Sequence, residues 1–287
     1  MRRKILLSVL CAIGAVSACK SPDTTITTAR IPTGGVRFIN AVPDTAGAFG
    51  MDFRFIDLVE SNAQFRVTFR NNISTATPFV STLTEFKGAQ AGSRHFRIFF
   101  DDTIQTIAST VLKDSSITVA DSANYTVMLW GPARTAGMNM VIWPENVGDP
   151  GANVALRAVN ATGSAVDVRV YLQGSAVPVA VTWTIPAYAR SPYINVAPGN
   201  YMYNVQPAGG GATLFADAQA IQGVLGQIDL EALPGTLVAG SAVSGFIYPR
   251  STAGARTPPD GSVCGAGNLV QLGSSSAPHL RTLLARA

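Results

Sequence analysis

The sequence predicts an all-β protein made of two tandem antiparallel β-sandwiches. Three observations carry that expectation. Short β-prone runs, divided by Gly, Pro, Asn and Asp, fill the chain from Val36 onward. No long segment of the body repeats its apolar residues at helical spacing. A set of short motifs also occurs twice, in the same order. Many short strands with such turns favour layered sheets over alternating strands and helices.

The elements follow in chain order. Met1-Arg2-Arg3-Lys4 places three cations ahead of an apolar run from Ile5 to Val16. This is the pattern of a secretory signal. The run is too short to cross a bilayer core of about 30 Å, which needs roughly 20 residues. Val16-Ser17-Ala18-Cys19 then resembles a bacterial lipobox: an aliphatic residue, two small residues and a cysteine. The resemblance implies cleavage after Ala18, so that 1–18 is a signal peptide, and a lipid thioether on Cys19. Each buried CH₂ contributes about 0.8 kcal/mol, so two or three acyl chains hold firmly where one does not. The membrane is then the first expected partner. Lys20 stands where an aspartate would favour the inner membrane, which points to the outer membrane, on its periplasmic or its surface-exposed side. A plain secretory signal, cut at Ala18 or later, remains the alternative.

The chain carries 21 Lys and Arg against 17 Asp and Glu. Three of those cations leave with the signal, so the mature part has a net charge of only +1. That balance gives no basic field for nucleic acid. Hydrophobic residues are 47% and charged residues 13%, enough to fill a core without disorder. Cys11 leaves with the signal and Cys19 is taken by lipid. Cys264 is then a single thiol, read as a small buried hydrophobe.

Residues 19–35, rich in Thr with Pro22, Pro32 and Gly34-Gly35, read as a flexible tether. Strands are expected at Val36–Ala41, Met51–Leu58, Gln64–Phe69, Arg94–Phe100, Tyr125–Trp130 and Met138–Trp143. They resume at Val154–Asn160, Val166–Leu172, Val179–Ile185, Tyr201–Val205 and Val243–Tyr248. Val166, Val168, Val170 and Leu172 alternate with Asp167, Arg169 and Tyr171, which puts the two sets on opposite faces. Pro278–Ala287 is expected to form a short helix or to fray.

The repeat is the strongest signal in the body. Val36-Arg37-Phe38-Ile39-Asn40-Ala41 matches Leu156-Arg157-Ala158-Val159-Asn160-Ala161, and Met51-Asp52-Phe53-Arg54-Phe55 matches Val166-Asp167-Val168-Arg169-Val170. Thr77-Pro78-Phe79 pairs with Ser191-Pro192-Tyr193, and Ala91-Gly92-Ser93 with Pro198-Gly199-Asn200. Arg134-Thr135-Ala136-Gly137 resembles Arg250–Gly254. Two copies of this length make a duplication rather than a solenoid. They predict one sandwich over 36–143, a Pro-rich linker over 144–152, a second sandwich over 153–273 and a tail over 274–287.

These motifs resemble the bacterial family called domain of unknown function 4397. Val36–Asp44, Val-Arg-Phe-Ile-Asn-Ala-Val-Pro-Asp, is similar to the family's opening strand and turn, and Asp52 or Asp167 to the residue that opens its second strand. Ala197–Tyr201 and Asn124–Val127 resemble its later turn and strand. The second copy departs more, with Thr162-Gly163 in place of Val-Pro-Asp and no Tyr-Thr-Val strand. The resemblance implies immunoglobulin-like sandwiches on exported proteins and no established activity.

No catalytic motif emerges, and no cofactor or metal is expected. His95 lies in Arg94–Phe100, with Arg97, Phe99 and Asp101 alternating onto its face. A His–Asp pair there could bind a metal or move a proton, but an exposed strand pair is the simpler reading. His279 falls in the tail. Gly209-Gly210-Gly211 reads as a loop between strands, and Asp101-Asp102 as a turn rather than a calcium site. Asp52 with Arg54, and Asp167 with Arg169, are expected to be exposed ion pairs or carboxylates bonding a neighbouring turn; a shared ligand site is the weaker reading. Trp130, Trp143, Trp183, Tyr171, Tyr188, Tyr193, Tyr201 and Tyr203 could stack on sugars, Trp183 being the best platform among them.

The expected function is therefore a non-enzymatic envelope lipoprotein that binds or spaces a partner, an envelope protein or a polysaccharide. A carbohydrate-binding module is the first alternative. A hydrolase with a cryptic site, for which His95 is the candidate, is the second.

Overall fold

The computed structural model describes residues 30–43, 50–57, 69–73, 86–101, 105–132, 137–179, 182–228, 230–249 and 280–285. The expected signal peptide, Cys19, Cys264 and His279 lie outside these residues. The chain is all-β. The first half contains β1 (Thr33–Ala41), β2 (Met51–Phe55), β3 (Arg70–Ile73), β4 (Lys87–Gln90), β5 (Gly92–Phe100), a one-turn α1 (Gln105–Ala108), β6 (Val111–Val119), β7 (Asn124–Trp130) and β8 (Asn139–Pro144). The second contains β9 (Val154–Asn160), β10 (Val166–Leu172), β11 (Trp183–Ile185), β12 (Ala189–Arg190), β13 (Ile194–Val196), β14 (Tyr201–Pro207), β15 (Phe215–Gln219), β16 (Ala242–Ile247) and β17 (Leu280–Ala285).

These strands form four sheets. Their orders are β4-β1-β7-β8, β3-β2-β5-β6, β12-β9-β16-β17 with β13 also on β9, and β11-β10-β14-β15. Side chains of the first two sheets enclose one core, and side chains of the last two enclose another. A third cluster joins the halves: Ile39 and Ala41 of β1 and Met128 of β7 meet Val159 of β9, Ala161 and Phe246 of β16. The result is two cores within one compact unit over Pro32–Ala287.

The alternation of side chains explains the stack. Val36 and Phe38 of β1 point into the first core, while Arg37, Ile39 and Ala41 point the other way. Leu156 and Ala158 of β9 enter the second core, while Arg157, Val159 and Ala161 face the first half. Both faces of β1 and β9 are therefore buried, which is why each reads as a nearly unbroken apolar run.

Most pairs are antiparallel, but the central ones are not. β1 runs parallel to β7, with Arg37 opposite Thr126, and β9 runs parallel to β16, with Arg157 opposite Ser244. The antiparallel sheets expected from the sequence are thus present, with one parallel pair added in each half. The first strand of each half pairs with a late one, and everything between them serves as the long crossover that a parallel pair needs.

Three further expectations change. The strand at the start of the first half begins at Thr33, so Gly34-Gly35 belongs to β1 and not to a tether. Glycine is required there because a Cβ at Gly34 would lie 2.6 Å from the Ala120 carbonyl oxygen. The tail is neither helical nor frayed over Leu280–Ala285: β17 pairs antiparallel with β16. The segment expected to be a linker contains a buried residue, Glu145.

Candidate functional site

The two arginines of the repeated motif converge on one carboxylate. Arg37 and Arg157 occupy matching positions on β1 and β9, each opposite a hydroxyl residue on its parallel neighbour. Arg37 Nε donates to Thr126 Oγ1 at 2.9 Å, and Arg157 Nε donates to Ser244 Oγ at 2.8 Å. An aromatic ring covers each guanidinium at 4.5 Å, Phe86 over Arg37 and Tyr193 over Arg157. Nη2 of Arg37 then reaches Glu145 at 3.0 Å, and Nη2 of Arg157 reaches it at 2.7 Å. Thr126 also donates its hydroxyl proton to Glu145.

Glu145 directly follows β8, and its side chain is 1% exposed. Burial alone would raise its carboxyl, but Arg157 and Arg37 outweigh that effect and hold it down to about 2. The Arg37 guanidinium is shifted downward, first by burial and then by Arg157, with Glu145 opposing. A third arginine completes the cluster. Arg190 of β12 lies 3.3 Å from Glu145 through Nη1, donates Nη2 to the Pro144 carbonyl at 3.1 Å and sits 5.1 Å over Trp143. Burial and the charge of Arg157 both push Arg190 downward.

A cavity of about 480 Å³ opens beside this cluster. Its wall includes Arg157, Arg190, Tyr193, Asn195, Asn146 and Asp149. Tyr193 shares a hydrogen bond with Ser244 at 3.1 Å, and burial pushes its phenol upward. Among the described residues lining it, no nucleophile–base pair is present. Its chemistry is that of cation, amide and hydroxyl groups able to hold an anion.

The sequence could have pointed to this cluster. An arginine inside an unbroken apolar run, repeated in both copies, requires a buried acidic partner. Glu145 is an acid set between the two copies, beside Trp143-Pro144, but spacing alone does not mark it as that partner. Thr77-Pro78-Phe79, matched in sequence to Ser191-Pro192-Tyr193, lies outside the described residues. Phe86, just before β4, occupies the place over Arg37 that Tyr193, just before β13, occupies over Arg157.

The other candidates are scattered. His95 bonds Asp114 of β6, not Asp101, and Arg97 Nε donates to the same carboxylate at 2.8 Å. All three are well exposed, and the Asp114 carboxyl is lowered by its bonds to His95 and Arg97. Asp101 uses its backbone N–H to close on the Gly50 carbonyl. Asp52 and Arg54 form an ion pair at 2.7 Å, while Asp167 accepts from Thr184 Oγ1 at 2.6 Å and from the Gly209 N–H at 3.2 Å. The Asp52–Arg54 pair is largely buried rather than exposed as expected, whereas Asp167 bonds a neighbouring turn. The bond from Thr184, then that from Gly209, lowers the Asp167 carboxyl despite its slight burial. Gly209-Gly210-Gly211 turns between β14 and β15 with positive φ throughout. Trp183 is half-buried and packs against the second core. Trp130 stacks on Tyr188 at 4.9 Å, and Tyr201 and Tyr203 are buried. Among the described residues no three metal-ligating side chains gather.

The family model described as domain of unknown function (DUF4397) matches residues 34–171, from β1 to the end of β10. No curated protein matches the chain. The Bacillus anthracis TIE protein is 14% identical over 77% of this chain, with a TM-score of 0.22. This chain spans about a third of that protein, 34% of its length. A candidate cell adhesion protein from Bacteroides ovatus is 10% identical over 78% of this chain and 95% of its own, with a TM-score of 0.17.

Proposed function

We propose that the chain is an exported lipoprotein, anchored through Cys19, whose two immunoglobulin-like modules act as one rigid, non-enzymatic binding or spacing element of the cell envelope. The buried Arg37–Glu145–Arg157 cluster carries this reading. Two sandwiches on a free linker would swing independently. Here the linker itself supplies the carboxylate that both modules need, so their mutual orientation is fixed. A fixed pair of modules on a lipid anchor holds its loops at a set distance from the membrane. The lipobox at Val16–Cys19 and the DUF4397 match support export and the module type. Metabolic labelling with palmitate tests the anchor: wild type should carry label and sediment with membranes, and Cys19→Ala should do neither. Label retained in the variant rejects the anchor.

A second reading, glycan binding, is supported by a pocket of about 130 Å³ on the second module. Asp167, Arg169 and Tyr171 of β10 meet Asn204 and Gln206 of β14 there. A ring beside carboxylate and amide groups suits sugar hydroxyls. Glycan-array binding that disappears in Tyr171→Ala would favour it, and silence across the array would remove it.

A further inference from the structure

We propose that the cavity beside Arg157 and Arg190 is a binding site for a small organic monocarboxylate. This goes beyond the spacing role and holds whether or not the chain carries a lipid. The first ground is unspent donor capacity. Arg157 has a side chain only 3% exposed, and its bonds use Nε toward Ser244 and Nη2 toward both oxygens of Glu145. Its Nη1 makes no hydrogen bond to a described residue, and Arg157 lines the cavity. That nitrogen is not sealed off but opens on the cavity, so a ligand acceptor placed there can reach it. Arg190, on the same wall, uses both terminal nitrogens on Glu145 and Pro144 and leaves Nε without a bond to a described residue.

The second ground is charge. Arg37, Arg157 and Arg190 surround one carboxylate, Glu145, and Asp149 is the acid on the cavity wall. Three cations against two anions leave one positive charge, which one carboxylate neutralises. A phosphate dianion would overshoot. The planar guanidinium matches a carboxylate in shape as well as in charge. The third ground is room. The cavity, about 480 Å³, far exceeds a bare anion and falls in the range of small-molecule sites. Asn146 and Asn195 line the remainder and can bond a polar ligand body. The downward push on Arg190 from burial and from Arg157 is the strain that a bound anion relieves.

The test uses the full chain in detergent at constant ionic strength. The probes are sodium acetate, sodium hexanoate and inorganic phosphate, with chloride as the reference salt, and the readout is the thermal midpoint together with calorimetric titration. Saturable binding of acetate or hexanoate, at least tenfold tighter than phosphate, is expected. Arg190→Gln should weaken it at least tenfold. Asn195→Leu, which narrows the cavity and does not touch Glu145, should weaken hexanoate more than acetate while the ligand-free midpoint stays put. No saturable binding of either carboxylate, equal binding of phosphate, or wild-type affinity in both variants overturns the proposal. Loss of Cys19 leaves these results unchanged, so failure here and failure of the lipid anchor are distinct.

Discussion

Arg37 and Arg157 hold the same position in the two halves, but their surroundings differ. Arg37 is covered by Phe86 and takes its carboxylate from the end of its own half. Arg157 is covered by Tyr193, takes the same carboxylate from across the boundary and lines a cavity. The cores differ as well. The first is aromatic: Phe53 lies 5.4 Å from Phe38 and 4.7 Å from Phe96, with Phe55 edge-on at 5.2 Å. The second is aliphatic, with Val154, Leu156, Val166, Val168, Val170, Val205 and Val243 around Tyr203. The frame thus tolerates a full exchange of core chemistry, whereas the arginine, its hydroxyl neighbour and its aromatic cover recur. Sharing one glutamate makes the halves dependent on each other, since neither can leave without stranding a buried guanidinium.

The largest expected effect breaks that dependence. Glu145→Ala leaves two buried arginines uncompensated and should cost about 5 kcal/mol, measured by urea unfolding. Acid sharpens the same point. The Glu145 carboxyl is held at about 2, below the ordinary carboxylate value, so the unfolded chain binds the extra proton first. Its contribution is complete above roughly pH 4.5 and is lost as pH falls through about 2, amounting to about 3 kcal/mol. Urea midpoints from pH 6 to pH 2 should show this fall in wild type, and Glu145→Gln should lack it. The cores should separate by less. Phe53→Ala should cost about 4 kcal/mol and Val168→Ala about 2, a gap of about 2 kcal/mol. The smallest effect belongs to the exposed His95–Asp114 pair, where His95→Ala should change stability by less than about 0.5 kcal/mol.

Where local pattern and burial coincide, the sequence was enough. The ends of β9 and β10 fall where alternation and apolar runs place them, although Leu172 is exposed. β6 escaped because Lys113, Asp114 and Ser115 dilute its apolar face, and its partner β5 decides it. β12 and β13 are two and three residues long and exist through pairing with β9, which no local window contains. Leu280–Ala285 has helix-favouring residues, yet the open edge of β16 makes it a strand. The arginine cluster was half legible. The repeated Arg was visible in both motifs, but Glu145 is 108 residues from Arg37 and its role comes from the packing of the two halves.

Hydrogen exchange followed by mass spectrometry gives the most direct reading of whether Glu145 fuses the halves. In wild type, the amides of β2 and β5 and those of β10 and β14 should open with one common free energy. In Glu145→Ala the two sets should separate into two opening events of different stability. Two separate events already in wild type, or a single shared event that survives in the variant, would contradict the account.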